Sequence, residues 1–422
     1  MKNLPFDKIL FENAPLEIIE CNEDENYPKF HEFSKKGFCL FLNMMNVKDC
    51  GFNFDKTRFI TKEKDESLNN GKLQRNDIVL TVRTNITNRS GINGGNVAFY
   101  GDDIKFNNIR INSDMVILRA HNNLLSKYLY YFLKSSYFKK QINQYKYGLP
   151  FPFKISKHLL KKFEFYFPPF NQQNAIVNFI SQFDKKIDLY KNINKNLKKQ
   201  LKAVYNSFFV KYDNFSQDDL KESEIGLIPK EWNLLYLGEV TEKIKEEVSN
   251  HCNFLATFRN GELLFSKNRF NKPIHGKNIL IKKNEFTFNS WKINDFEIGR
   301  NDFNHDVCVR SYYIVFKVEE DYENFMNMYF KSSIFHYWSD IVFYESFKRK
   351  LSYDDFSKIK IAYPPKEIVD KFNQFYMDYY DMINYNNSAI SILEKIRDIL
   401  LNKLISGDLD VSKINNIKNN NS

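Results

Sequence analysis

Phe163-Glu164-Phe165-Tyr166-Phe167-Pro168-Pro169, running on through Phe170-Asn171-Gln172-Gln173-Asn174-Ala175-Ile176-Val177, sets the organisation of the chain. The apolar alternation over 163–167 suits a strand. The two prolines end it and prepare a helix start. Beyond them a seam of apolar residues follows at Ile176, Ile180, Phe183, Ile187, Tyr190, Leu197, Leu201, Val204 and Phe208, with Asn194 at its sixth place. The spacings alternate between four and three residues, which is the mark of a coiled-coil helix.

The same passage recurs. Ile359-Lys360-Ile361-Ala362-Tyr363-Pro364-Pro365 lies at an offset of 196, and a second seam follows it at Ile368, Phe372, Phe375, Tyr379, Met382, Asn386, Ala389, Leu393, Ile396 and Leu400. Asparagine again holds the sixth place. Leu133-Lys134-Ser135-Ser136 is echoed by Phe330-Lys331-Ser332-Ser333, and Phe153-Lys154-Ile155-Ser156 by Arg349-Lys350-Leu351-Ser352. Asn76-Asp77-Ile78 resembles Asn284-Glu285-Phe286, with the offset drifted to 208. The preserved order implies a duplicated unit, and two copies are too few for a solenoid. Residues 176–208 as a helix rise ~48 Å at 1.5 Å per residue, about fourteen base pairs of duplex. A buried Asn at a seam position penalises wrong registers. Asn194 and Asn386 are therefore candidates for setting the pairing of the two rods, the alternative being a solvated edge.

The chain has 422 residues, 43% hydrophobic and 27% charged, enough to bury sizeable cores in two or three domains. No apolar run reaches the ~18 residues of a membrane span, and no secretory signal pattern opens the sequence. The five cysteines, at 21, 39, 50, 252 and 308, form no C-x-x-C pair and read as free thiols of a cytoplasmic protein. Net charge is +8 over residues 1–168, +6 over 169–212, −3 over 213–365 and −1 over 366–422. A basic first half suits a polyanionic partner, and a lysine-rich solvated surface is the competing reading. The same two readings, with an acidic partner as a third, apply to Lys185, Lys186, Lys191, Lys195, Lys198, Lys199 and Lys202 on the first rod.

After the first rod comes Glu224-Ile225-Gly226-Leu227-Ile228-Pro229-Lys230-Glu231-Trp232, then Leu237-Gly238-Glu239-Val240. The second rod closes with Leu404-Ile405-Ser406-Gly407-Asp408-Leu409. With the Pro-Pro, Gln172-Gln173 and Ile176-Val177 run, the chain resembles the DNA specificity subunit of type I restriction-modification systems over nearly its whole length. The first copy has no counterpart of Pro229-Lys230-Glu231-Trp232. The resemblance implies an α+β chain with two tandem α/β target-recognition domains separated by two long antiparallel coiled-coil helices in a pseudo-two-fold repeat. The expected boundaries are 1–168 for the first domain, 169–212 for the central helix, 213–365 for the second domain, 366–411 for the C-terminal helix and 412–422 for a flexible tail. It implies a non-catalytic subunit that reads a bipartite double-stranded DNA site and docks two methyltransferase subunits and motor-nuclease subunits. S-adenosylmethionine, ATP and magnesium would belong to those partners, with no cofactor in this chain. A methylation-only system and a structural coiled-coil protein without DNA binding are the alternatives.

Side chains that reach base edges are arginine for guanine and asparagine or glutamine for adenine, with lysine mainly for phosphate. Arg83, Asn85, Asn88, Arg89 and Asn93 lie in a polar, glycine-interrupted stretch after an expected strand. It reads as a DNA-contacting loop or as an ordinary polar one. Lys146, Tyr147 and Lys154 interleave basic and aromatic residues and correspond to the stretch that ends in Lys348, Arg349 and Lys350. Both suit phosphate contact. Arg269, Arg300, Asn301 and Arg310 are the other candidates in the second copy. Phe167-Pro168-Pro169-Phe170 lacks the polar first residue that amino-methyltransferases use ahead of Pro-Pro. The seven histidines form no H-x-E or H-E-x-x-H, and no phosphate-binding glycine loop occurs. A self-contained DNA-modifying enzyme is therefore disfavoured.

Overall fold

The computed structural model describes residues 6–21, 23–48, 51–83, 85–86, 92–93, 95–146, 154–244, 248–249, 254–259, 262–267, 278–291, 296–346 and 350–410. The chain forms two compact units, residues 1–189 with 389–422, and residues 190–388. Both divisions fall inside long helices, Phe170–Phe209 and Lys366–Ile405, of 40 residues each. The helix-plus-sheet class expected from the sequence is the one observed.

In the first unit an antiparallel sheet runs in the order Val97–Phe99, Ile78–Thr81, Met115–Ala120, Leu16–Glu20. Ile78–Thr81 is buried throughout, so its Ile-Val-Leu stretch is continuous rather than alternating. A second sheet pairs Ile109–Ile111 with Cys39–Leu42 in parallel. Helices Ser126–Lys134, Ser136–Lys146 and Lys157–Lys161 lead to the strand Glu164–Tyr166 before Pro-Pro, which pairs with Lys8–Leu10.

The second unit repeats this plan. Its sheet runs Ile298–Arg300, Phe286–Asn289, Tyr313–Val318, Thr241–Lys243. Its parallel pair is Phe254–Arg259 with Val307–Arg310, and Lys360–Tyr363 before the second Pro-Pro pairs with Asn233–Tyr236. Asn76 and Asn284 precede equivalent strands in the same left-handed turn, at φ 72° and 66°. Asparagine tolerates that region better than most residues do.

Each long helix starts on the carbonyl of the second proline. Pro169 accepts from the Gln172 and Gln173 amides, and Pro365 from those of Ile368 and Val369. Buried Gln173 then ties the junction down. Its Oε1 accepts from Leu125 N at 2.8 Å, and its Nε2 donates to the Asn123 and Pro168 carbonyls. Gly407, at φ 76°, follows the end of the second helix.

Both helices contribute to both cores. In the first unit Ile176 and Ile180 of one helix share a core with Leu401, Leu404 and Ile405 of the other. In the second, Leu201, Tyr205 and Phe209 share a core with Val369, Phe372 and Tyr376. Within each unit the start of one helix meets the end of the other, so the pairing is antiparallel. Buried Trp232 of the Pro-Lys-Glu-Trp motif packs against Phe209, Tyr212 and Phe215 at the end of the first helix.

None of the first seam's residues is exposed, and it runs as the spacing predicts to Leu201, beyond which the inward positions are Tyr205 and Phe209 rather than Val204 and Phe208. The second differs. Phe375, Met382 and Ile396 are exposed, and the inward positions next to them are Tyr376, Ile383 and Arg397. Arg397 takes a seam place because Asp184 accepts from its Nη1 at 2.8 Å while Tyr131 Oη donates to the other carboxylate oxygen at 2.6 Å. The two seam asparagines are buried and meet directly. Asn386 Nδ2 donates to Asn194 Oδ1 at 2.8 Å, and Asn194 Nδ2 donates to Asn387 Oδ1 at 2.9 Å. One cysteine expectation is corrected. Cys21 and Cys39 are free and buried, but Cys308 is disulfide-bonded to a partner outside the described residues. Spacing along the chain carries no information on a pairing made by the fold.

Replacing Asn386 by alanine leaves the Asn194 carbonyl without its donor, and is expected to cost about 1–3 kcal/mol in urea unfolding. Asn194→Leu with Asn386→Leu removes both amides and should recover most of that loss. A double variant as weak as the single would show that amide pairing does not hold this layer.

Candidate nucleic-acid interface

The strand Ile78–Thr81 leaves the first unit's sheet and delivers Arg83 to the surface. Its side chain is 45% exposed and lies 3.0 Å from Asp114, as an ion pair without hydrogen-bond alignment. The backbone there is fixed from two sides. Val82 N donates to the Asp114 carbonyl, and Ile155 N donates to the Val82 carbonyl, both at 2.9 Å. Arg83 thereby forms a bridge with exposed Lys154. Two stretches singled out separately in the sequence thus meet at one corner. From it extends a hairpin, Asn85–Ile86 paired with Ile92–Asn93, in which Asn85 and Asn93 are directly opposed. Lys146 ends the helix Ser136–Lys146. Asn88, Arg89 and Tyr147 lie outside the described residues.

The second unit builds the same corner from different side chains. Ser290 N donates to the Tyr312 carbonyl at 3.2 Å, and Leu351 N donates to the Ser290 carbonyl at 2.8 Å. These bonds match those of Val82, so Trp291 stands where Arg83 does and Lys350 where Lys154 does. Trp291 is 59% exposed, and Lys350 Nζ lies 5.7 Å from its ring centre. Sequence reading missed Trp291, although the 208-residue offset between Asn76 and Asn284, carried on to residue 83, points to it.

The other candidates divide. Arg300 and Asn301 are interior rather than at a DNA face. Arg300 is 6% exposed, with Nε on Asp302 at 2.5 Å, Nη1 on Asn324 at 2.9 Å and Nη2 on Tyr376 Oη at 3.1 Å. Burial pulls its pKa down, but Tyr376 and Asp302 beside it outweigh that and raise it above the ordinary arginine value. Asn301 is fully buried, and its Nδ2 donates to the Ile281 and His305 carbonyls. Both side chains are committed to holding the sheet on the second long helix and the loop beneath it. Arg310, half-buried at the end of Val307–Arg310, donates to Asn278 Oδ1 at 3.3 Å. Arg269, Lys348 and Arg349 lie outside the described residues. The seven lysines of the first long helix are all exposed.

Among the described residues no cluster of three or more His, Cys, Asp or Glu is placed to hold a metal, and no helix is long and apolar enough to cross a membrane.

Residues 16–199 match the family described as the type I restriction modification DNA specificity domain. The MjaIX type I restriction enzyme specificity subunit of Methanocaldococcus jannaschii is 24% identical over 69% of this chain and 71% of its own length. Residues 16–199 therefore carry the match to a type I restriction modification DNA specificity domain, and the chain as a whole is similar to specificity subunits. The MjaVIII specificity subunit of the same organism is 29% identical over 31% of the chain and 30% of its own length. The crystal structure of an S subunit from M. genitalium aligns over 96% of this chain and 97% of that one, at 16% identity and a TM-score of 0.46. The family match covers the Arg83–Lys154 corner and most of the first long helix.

Arg300→Ala should destabilise the second unit by about 2–3 kcal/mol, from lost hydrogen bonds to a charged group, measured by urea unfolding. In variants that remain folded, sequence preference should be unaltered. A change of preference at normal stability would return Arg300 to the reading surface.

Proposed function

We propose that each unit reads one half of a bipartite duplex DNA site and that the paired helices set the unread gap between the halves. The observation that supports this most is the duplicated corner. Two units of one strand order each present an exposed side chain beside a lysine, at the exit of a buried strand. Repetition of a surface feature on repeated scaffolds fits two similar binding events on one polymer. The excess of lysine and arginine over the first unit suits a phosphate backbone, and Arg83 suits a base edge.

The finer reading includes partners. The second long helix leaves Phe375, Met382, Tyr385, Ile392, Ile396 and Ile399 exposed. Apolar residues at heptad spacing outside the buried seam fit helix-in-groove docking of other subunits. Two methyltransferase subunits and motor-nuclease subunits would occupy such surfaces, bringing S-adenosylmethionine, ATP and magnesium with them. This chain would supply recognition rather than catalysis. A methylation-only assembly differs only in lacking the motor-nuclease.

Methylome sequencing of cells with and without the chain tests the reading, and a split motif that depends on the chain is the expected result. Binding of the purified chain to random duplex should fall steeply with salt, whereas a flat response would favour a coiled-coil protein without a DNA role. Inserting one heptad into both long helices should lengthen the gap and leave both half-sites intact. Arg83→Ala should relax one half-site by roughly 1–3 kcal/mol, while equal loss on all sequences would assign Arg83 to phosphate.

A further inference from the structure

The two corners share a backbone and differ in chemistry. In the first unit the exposed group is a guanidinium, and the paired strand end supplies Asp114 beside it. In the second the exposed group is the Trp291 indole, and the equivalent strand-end position is Tyr312, itself 39% exposed. Neither aromatic is there to fill a core, since the buried cluster of this unit closes without them. Trp291 is held rather than trailing. Its amide donates to Asn289 Oδ1 at 2.9 Å, and the preceding Ser290 is pinned by bonds to two segments.

A large aromatic fixed at the surface beside a cation cannot read a base edge as arginine does, because its indole offers one donor and no acceptor. It can do two other things to duplex DNA: wedge between base steps, or stack on a base whose neighbour has been lost. Both require the base face rather than its edge. The ammonium of Lys350, 5.7 Å from the ring centre, stands beside the ring, where a cation suits the phosphate of the same strand.

We propose that Trp291 contacts the face of an unstacked base in the half-site read by the second unit, so that this half is recognised partly through local deformability, whereas the half met by Arg83 is read through base edges. The inference rests on the proposed function above, and the experiment separates the two. Methylomes of cells carrying the wild-type chain first define the motif. Absence of any split motif would overturn the proposed function itself.

Given a motif, duplexes carrying 2-aminopurine at successive positions of each half are bound to the assembled wild-type and variant complexes. Besides any position extruded for methylation, which the variants should leave unchanged, the expected result is a fluorescence rise at one further position of one half with wild type, lost in Trp291→Ala and retained in Trp291→Phe. Trp291→Ala should also weaken binding to the motif about tenfold, in line with the stacking of one base. Its methylome should relax in that half alone. Lys350→Ala should weaken all sequences alike and leave the motif unchanged. Normal affinity and motif in Trp291→Ala, or no unstacked position in either half with wild type beyond those extruded for methylation, would overturn the proposal. So would failure of Trp291→Ala to assemble with its methyltransferase while its DNA preference is unchanged, since the indole would then face protein.

Discussion

The structure depends on one constraint: neither globular core is complete without both long helices. Ile176 and Ile180 enter one core at the start of the first helix, and Tyr205 and Phe209 enter the other at its end. The second helix does the same in reverse, with Phe372 and Tyr376 at its start and Leu401 and Leu404 at its end. Fully burying an aliphatic or aromatic side chain contributes about 1.5–3 kcal/mol, so several such residues per helix end attach each unit firmly. The helices are part of the folding units themselves, and the polar layers are adjustments within that frame. Asn194 with Asn386, and Asp184 with Arg397, put groups that require partners at seam positions, where a slipped register would leave them unmet.

Much of this was legible in the sequence, for identifiable reasons. Strand, Pro-Pro and heptad are local signals, and two occurrences in the same order reveal a duplication without any tertiary information. The first seam is legible as far as Leu201 because its flanks are lysine and asparagine, which leaves one apolar stripe. The second differs at three positions because that helix is apolar on two faces. Phe375 and Tyr376, or Met382 and Ile383, are equally good candidates by periodicity, and only the partner helix decides between them. Arg397 was passed over because a charged residue does not announce itself as a seam residue. Its qualification is Asp184 on the other helix, 213 residues away in sequence.

The site was less legible, because surface and interior roles use the same residue types. Arg300-Asn301 and Arg83 look alike as text. The difference is that Asp302, Asn324 and Tyr376 converge on one guanidinium, while the other, among the described residues, has one ill-aligned carboxylate and is 45% exposed. Trp291 failed to register for the opposite reason. An aromatic residue in a chain with 41 Phe and 25 Tyr is taken for core until its exposure is known.

The duplication also explains how one scaffold can carry unlike surfaces. The atoms that define each corner belong to the backbone: the amides of Val82 and Ser290, the carbonyls of Asp114 and Tyr312, and the amides of Ile155 and Leu351. Main-chain bonds place no demand on the side chains at residues 83, 114, 291 and 312. Those positions can therefore exchange an ion pair for two aromatics without disturbing the sheet below. A surface built this way separates folding from display. The buried strands and helix ends hold the geometry, and the side chains at their exits are left free of any part in it.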